Sequence, residues 1–214
     1  MSSLIFATDS GQAFVATDTL AVSYNGEPSF FTTKAFIVPH LRMIIAGTGV
    51  TGLMSKWFVQ VAHGMVVRGI EHLDYHTPDN LNRIWRNMKE EFTIPENFTS
   101  TIYHFGFSEE NELIKSYAYR STNDFDSDPL IYGLGVKPEC TIPENYILPD
   151  DIPAMMQDQR ERQVLQPKES RLYIGGEILI THLTKIGFNS YNLCKFEDYD
   201  ADEEAIYLNY GQNI

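Results

Sequence analysis

The sequence predicts an α+β domain in which helices cover largely antiparallel β-sheet, and a four-layer αββα sandwich is one way to bury that much sheet. Three observations carry this expectation. Short runs of β-branched and aromatic residues, broken by Gly, Asn and Pro, fill the first fifty positions. From Val50 the period changes, with an apolar stripe at four-residue spacing beginning at Leu53, and strand-like runs return after Phe98.

In order, Leu4 to Thr8 and Ala13 to Asp18 read as two strands joined at Ser10-Gly11. A looser stretch through Tyr24-Asn25-Gly26 leads to a strand from Phe30 to Phe36, and a fourth, Arg42 to Ala46, stops at Gly47-Thr48-Gly49. Leu53, Trp57, Val61 and Met65 share one helix face, so a helix runs to about Val67. Asp79 caps a second helix that carries Leu81, Ile84, Trp85 and Met88 and ends before Pro95. Thr99 to Phe107 and Leu113 to Tyr119 form a hairpin, and a short strand from Leu130 to Tyr132 runs into Gly133-Leu134-Gly135. Pro138, Pro143, Pro149 and Pro153 argue for an extended loop, followed by a helix from Ala154 to Leu165. Glu177 to Thr184 and Ser190 to Phe196 close the chain as a hairpin, and the acidic run Glu197 to Glu204 reads as a solvated face.

A chain of 214 residues has room for one domain with a real core, taken as 1–214. Sixteen basic against 29 acidic residues leave a net charge of −13, which repels phosphate backbones and anionic lipid heads. Neither nucleic acid nor a membrane is therefore an expected partner. No apolar run approaches the roughly 20 residues of a membrane span, and no signal-peptide pattern opens the chain, so a cytoplasmic location is expected. Cys140 and Cys194 lack metal-ligand or redox spacing, and no metal or cofactor is expected. His72 and His76, four apart but followed by Pro78, read as a surface turn.

Four features bear on chemistry: Ser2 after Met1, Asp18 at a strand end, Lys34 within an apolar strand, and the Ala46-Gly47-Thr48-Gly49 turn. A lysine among Phe30, Phe31, Ala35 and Phe36 must be paired or must reach water. Asp18 and Lys34 on neighbouring strands form a candidate buried ion pair beside the chain start.

The spacing of these residues resembles the proteasome β-subunit type of N-terminal nucleophile hydrolases, which includes the bacterial HslV peptidase. In that family a catalytic Asp in an Ala-x-Asp segment lies sixteen residues after the nucleophile and a catalytic Lys lies thirty-two after it. Here Ser2 to Asp18 is sixteen, Ser2 to Lys34 is thirty-two, and Asp18 stands in Ala16-Thr17-Asp18. Ala46-Gly47 matches the family's turn before its first helix, Gly133-Leu134-Gly135 is similar to its Gly-x-Gly, and Gly175-Gly176 to the Gly-Gly entering its last hairpin.

The resemblance implies an amide or peptide hydrolase in which removal of Met1 exposes Ser2 as nucleophile, with its own α-amine as base. It implies that Lys34 raises the local positive potential, Asp18 orients Lys34, and the Gly47 N–H faces the oxyanion. It also implies an apolar substrate pocket at Ala21, Thr32, Phe36, Ile45 and Gly49, a homo-oligomeric ring or stacked assembly, a peptide or unfolded-protein substrate, and an ATP-dependent unfoldase as partner. Three departures stand against it. The nucleophile is Ser rather than Thr; Leu134, Arg171 and Ile174 occupy the places of the family's supporting Ser, Asp and Ser; and the proline-rich segment replaces a helix. These favour the alternative of a catalytically silent subunit with a structural or assembly role.

Overall fold

The computed structural model describes residues 2–23, 25–168 and 170–212, the last two as backbone only, so Met1 and Tyr24 lie outside the described residues. Strands β1 (Leu4–Thr8) and β2 (Gln12–Asp18) form the first hairpin. Asp9 shapes its turn, accepting the N–H groups of Gly11 and Gln12 at 2.7 and 3.1 Å. Leu4 pairs with Thr17, which brings the residues just before β1 alongside Asp18.

β3 (Leu20–Val22) and β4 (Pro28–Phe31) form a two-stranded ribbon. β5 (Ala35–Val38) and β6 (Met43–Thr48) precede α1 (Thr51–Val59), which ends in a π-turn at Gln60–Gly64, and α2 (Ile70–Phe92). Next come β7 (Thr101–Phe107), β8 (Ile114–Arg120), β9 (Ser127–Pro129), β10 (Gly133–Lys137) and α3 (Ile152–Val164). β11 (Glu177–Thr184), β12 (Gly187–Lys195) and α4 (Tyr199–Gln212) complete the order.

Two five-stranded antiparallel sheets result, ordered β10-β1-β2-β11-β12 and β5-β6-β7-β8-β9. Their side chains sort into three apolar clusters by strand alternation. Leu4, Phe6, Ala13 and Val15 of the first sheet meet Ile44, Ala46, Tyr103 and Phe105 of the second. Ile45 and Ile102, on the other face of the second sheet, pack with Leu53 and Trp57 of α1 and Leu73, Leu81 and Trp85 of α2. Ile5, Phe14 and Ile180, on the other face of the first sheet, pack with Ile152, Met155 and Met156 of α3.

Phe6 pairs with Gly135, and a Cβ at 135 would lie 2.2 Å from its ring. The glycine lets Phe6 lie against Phe105 at 4.9 Å between the sheets. Gly135→Ala is expected to cost about 1–3 kcal/mol through overpacking, read as a melting temperature lower by several degrees in a chain of this size. An unchanged melting temperature contradicts this role for the glycine.

His104 anchors α1 to β7. The Trp57 indole N–H donates to His104 Nε2 at 2.8 Å, the rings stack, and His104 is fully buried. Burial holds its pKa down to about 3. An unfolded histidine titrates near 6.5, so between pH 6.5 and 3 only the unfolded chain binds this proton. Stability is present above that window and lost as pH falls through it, by up to about 1.4 kcal/mol per pH unit from this one group. In denaturant melts, His104→Gln should give a shallower fall in stability from pH 6.5 to 4 than wild type; identical slopes contradict the assignment.

Several boundaries differ from the expected ones. The strand expected from Phe30 to Phe36 is two, split by a bend at Thr32 to Lys34. The short strand expected at Leu130 to Tyr132 is irregular, with Ile131 90% exposed, and the strand proper is β10. Pro78 lies inside α2, so His72 and His76 are helical rather than in a turn. The buried stripe Ile70, Leu73, Thr77, Leu81, Trp85 and Met88 outweighs the lost N–H, and the Thr77 hydroxyl donates to the Leu73 carbonyl at 2.8 Å. The acidic run at the C-terminus enters α4, where Asp200 and Asp202 stand in the first turn and suit the positive end of the helix dipole. No helix among the described residues is long and apolar enough to cross a membrane.

Candidate active site

Asp18 ends β2 fully buried. Its Oδ1 accepts from the Lys34 ammonium at 2.8 Å and from the Ser3 N–H at 2.8 Å, and its Oδ2 accepts the Gly175 N–H at 3.2 Å. Lys34, in the bend between β4 and β5 and 3% exposed, also donates to the Leu20 carbonyl at 2.6 Å. Two of its three N–H groups are thereby committed. Burial pulls the lysine pKa below its ordinary value, and the Asp18 carboxylate opposes that shift. Pairing and hydrogen bonding together make a buried charge of this kind tolerable.

Ser2 is 7% exposed, and with Lys34, Gly47, Thr48, Gly49, Val50, Thr51, Met54 and Ile102 it borders a cavity of about 10 Å³, room for about one water. Ser2, Asp18, Lys34 and Gly47, singled out in the sequence, thus converge at one end of the two sheets. The Gly47 N–H donates to the Lys34 carbonyl at 3.2 Å, so that amide serves the sheet in this state. Gly49, at φ +110°, has no backbone hydrogen bond among the described residues, and a Cβ there would lie 2.3 Å from the Thr99 carbonyl. Only glycine fits that position. The first turn of α1 also borders the cavity, adding the positive end of a helix dipole.

Of the residues implied for a substrate pocket, Gly49 borders the Ser2 cavity and the other four do not. Ala21 lies in β3 opposite Phe30, and Thr32 donates its N–H to the Thr19 carbonyl at 2.8 Å. Phe36 stacks on Phe58 at 4.5 Å, and Ile45 is fully buried under α1.

The supporting shell is placed differently from the motif match. β10 runs antiparallel to β1 with Leu134 opposite Ala7 and Lys137 opposite Leu4, so Gly133-Leu134-Gly135 lies at the end of β1 remote from Ser2. Gly-x-Gly marks the start of this strand, and Lys137-Pro138 is what reaches the Ser2 end. Lys137 donates to Thr101 Oγ1 at 2.7 Å, and burial with nearby Arg120 holds its pKa down to about 8. Arg171 turns away to donate to the Val164 and Gln166 carbonyls. Ile174 packs in the cluster beneath α3.

Two participants were not legible beforehand. Ser3 is fully buried, and Gln159 of α3, also fully buried, accepts its hydroxyl at 2.5 Å. The available signal was a polar residue completing the stripe Ile152, Met155, Met156, Gln159.

No family model and no curated protein matches the sequence. Among solved structures the chain is similar to Anbu (ancestral beta-subunit) from Yersinia bercovieri, with a TM-score of 0.59 over 100% of this chain and 94% of that one, at 10% identity. The likeness bears on the fold alone. It supports a fold shared with that ancestral beta-subunit, and it does not support the narrower HslV-like assignment.

Proposed function

We propose that this chain is a single-domain N-terminal nucleophile hydrolase of amide or peptide bonds, built as a four-layer αββα sandwich. The observation that carries this reading is the buried Asp18–Lys34 pair, tied to the Ser3 amide and bordering the cavity that Ser2 lines. With Met1 removed, the Ser2 α-amine, pKa near 8, takes the hydroxyl proton as Oγ attacks the substrate carbonyl carbon. Lys34 favours loss of that proton by its charge. The oxyanion forms at the glycine turn, where the Gly47 amide turns from Lys34 to the substrate oxygen or the Gly49 amide serves in its place. The C–N bond breaks as the ammonium returns its proton to the leaving amine, and water then hydrolyses the Ser2 ester by the same proton route.

Protein with Ser2 freed should cleave short fluorogenic peptides, and the same protein retaining Met1 should not. Equal turnover by both forms contradicts the α-amine as base. The substrates are peptides or unfolded protein with apolar side chains at the scissile bond. The assembly is a homo-oligomeric ring or stack in the cytoplasm, fed by an ATP-dependent unfoldase. A second reading, the silent subunit, draws on the room for only about one water beside Ser2 and on the engaged Gly47 amide. It is the outcome if freed Ser2 neither turns over nor reacts.

A further inference from the structure

We propose that Gln159 is a positioning residue for the nucleophile, fixing from α3 the backbone that immediately follows Ser2; this deepens the hydrolase reading and rests on it. Ile152, Met155, Met156 and Gln159 form the buried stripe of α3 at i, i+3, i+4 and i+7. The first three pack against Ile5, Phe14, Ile178 and Ile180. A leucine or methionine at 159 would extend that cluster without desolvating an amide, so a fully buried glutamine answers to a polar demand.

Both ends of the amide meet that demand. Its Oε1 accepts the Ser3 hydroxyl at 2.5 Å, and its Nε2 donates to the Pro138 carbonyl at 2.5 Å. One side chain thus joins α3, the end of β10 and the chain start. Ser3 is held on two sides, its N–H by Asp18 and its hydroxyl by Gln159. Successive side chains of extended chain point to opposite faces. Ser3 therefore reaches outward to α3 while Ser2 faces the Lys34 cavity, and the Ser3 clamp sets the point about which Ser2 is aimed. A displacement of about 1 Å at a reacting group can cost on the order of 100-fold in rate. The same bond removes Ser3 as a rival nucleophile, since its hydroxyl proton is committed to Gln159.

The test uses untagged full-length protein and the variants Q159M, S3A and Q159M/S3A. Methionine matches glutamine in shape and suits the surrounding Ile and Met side chains. Two quantities are read: amide hydrogen exchange across residues 3–5, and the inactivation rate constant and inhibitor affinity of Ser2 towards a peptide epoxyketone. For Q159M the expected result is exchange at the chain start faster by about 10-fold with β2 unchanged. Its maximal inactivation rate should fall roughly 10–100-fold at an affinity within about twofold of wild type, and S3A should add little to it. Unchanged exchange at residues 3–5 in Q159M overturns the proposal, as does faster exchange spread evenly over β1 and β2. Absence of any covalent adduct in wild type counts against the hydrolase reading, and the exchange result then decides the role of Gln159 alone.

Discussion

Ser2→Ala is expected to abolish peptide hydrolysis and covalent labelling, a loss of three orders of magnitude or more, and to leave the fold intact. The Ser2 hydroxyl has no hydrogen bond among the described residues and borders a cavity, so its removal strands no buried partner. Melting temperature and assembly size should match wild type within error. Ser2→Thr, which restores the nucleophile usual in the resembled family, should retain activity with a more restricted hydroxyl rotamer. Hydrolysis at the wild-type rate by the alanine variant rejects Ser2 as nucleophile.

The second large effect is on stability. Asp18 and Lys34 meet at 2.8 Å with side-chain exposures of 0% and 4%, so removing either partner leaves a charge without its counter-ion in the interior. Breaking a buried pair costs about 3–5 kcal/mol, which is a melting temperature lower by roughly 6–20 °C for a chain of this length. The two halves are not equivalent. In Lys34→Ala the carboxylate keeps the N–H groups of Ser3 and Gly175, whereas in Asp18→Asn the ammonium keeps the Leu20 carbonyl and a neutral amide oxygen. Lys34→Ala should therefore sit at the lower end of the range. The double variant Asp18→Asn/Lys34→Met should cost less than the two single losses added, because no lone charge is buried. Unchanged melting in both single variants shows that the pair does not hold the fold.

The hairpins were legible because turn chemistry marks them locally: Ser10-Gly11 lies between β1 and β2, and Lys185-Ile186, followed by Gly187 at φ +142°, joins β11 to β12. α1 was legible from Leu53 and Trp57, whose burial under the helix imposes the period. α4 was not, since Tyr207, Leu208 and Tyr210 stay exposed and no core-facing stripe shapes its sequence. The first half of α2 was hidden by Pro78, whose local cost the buried face overrides. Asp18 and Lys34 stood out as charges placed among apolar residues, and each needed a partner. Gln159 did not, because a polar residue in a helix reads as surface until the register shows which face is covered. The Gly-x-Gly match misled for a related reason: a short motif fixes neither the direction nor the register of the strand it opens, and pairing with β1 placed Leu134 five residues along β1 from Ser2.

The most direct measurement is the intact mass of protein purified without an N-terminal tag, before and after exposure to a peptide epoxyketone that reacts with hydroxyl and amine together. Loss of Met1 followed by a single adduct, absent in Ser2→Ala, is the expected result and identifies a free, activated N-terminal serine. Retained Met1 with no adduct contradicts the hydrolase reading and leaves a silent subunit that keeps the Asp18–Lys34 pair for its fold.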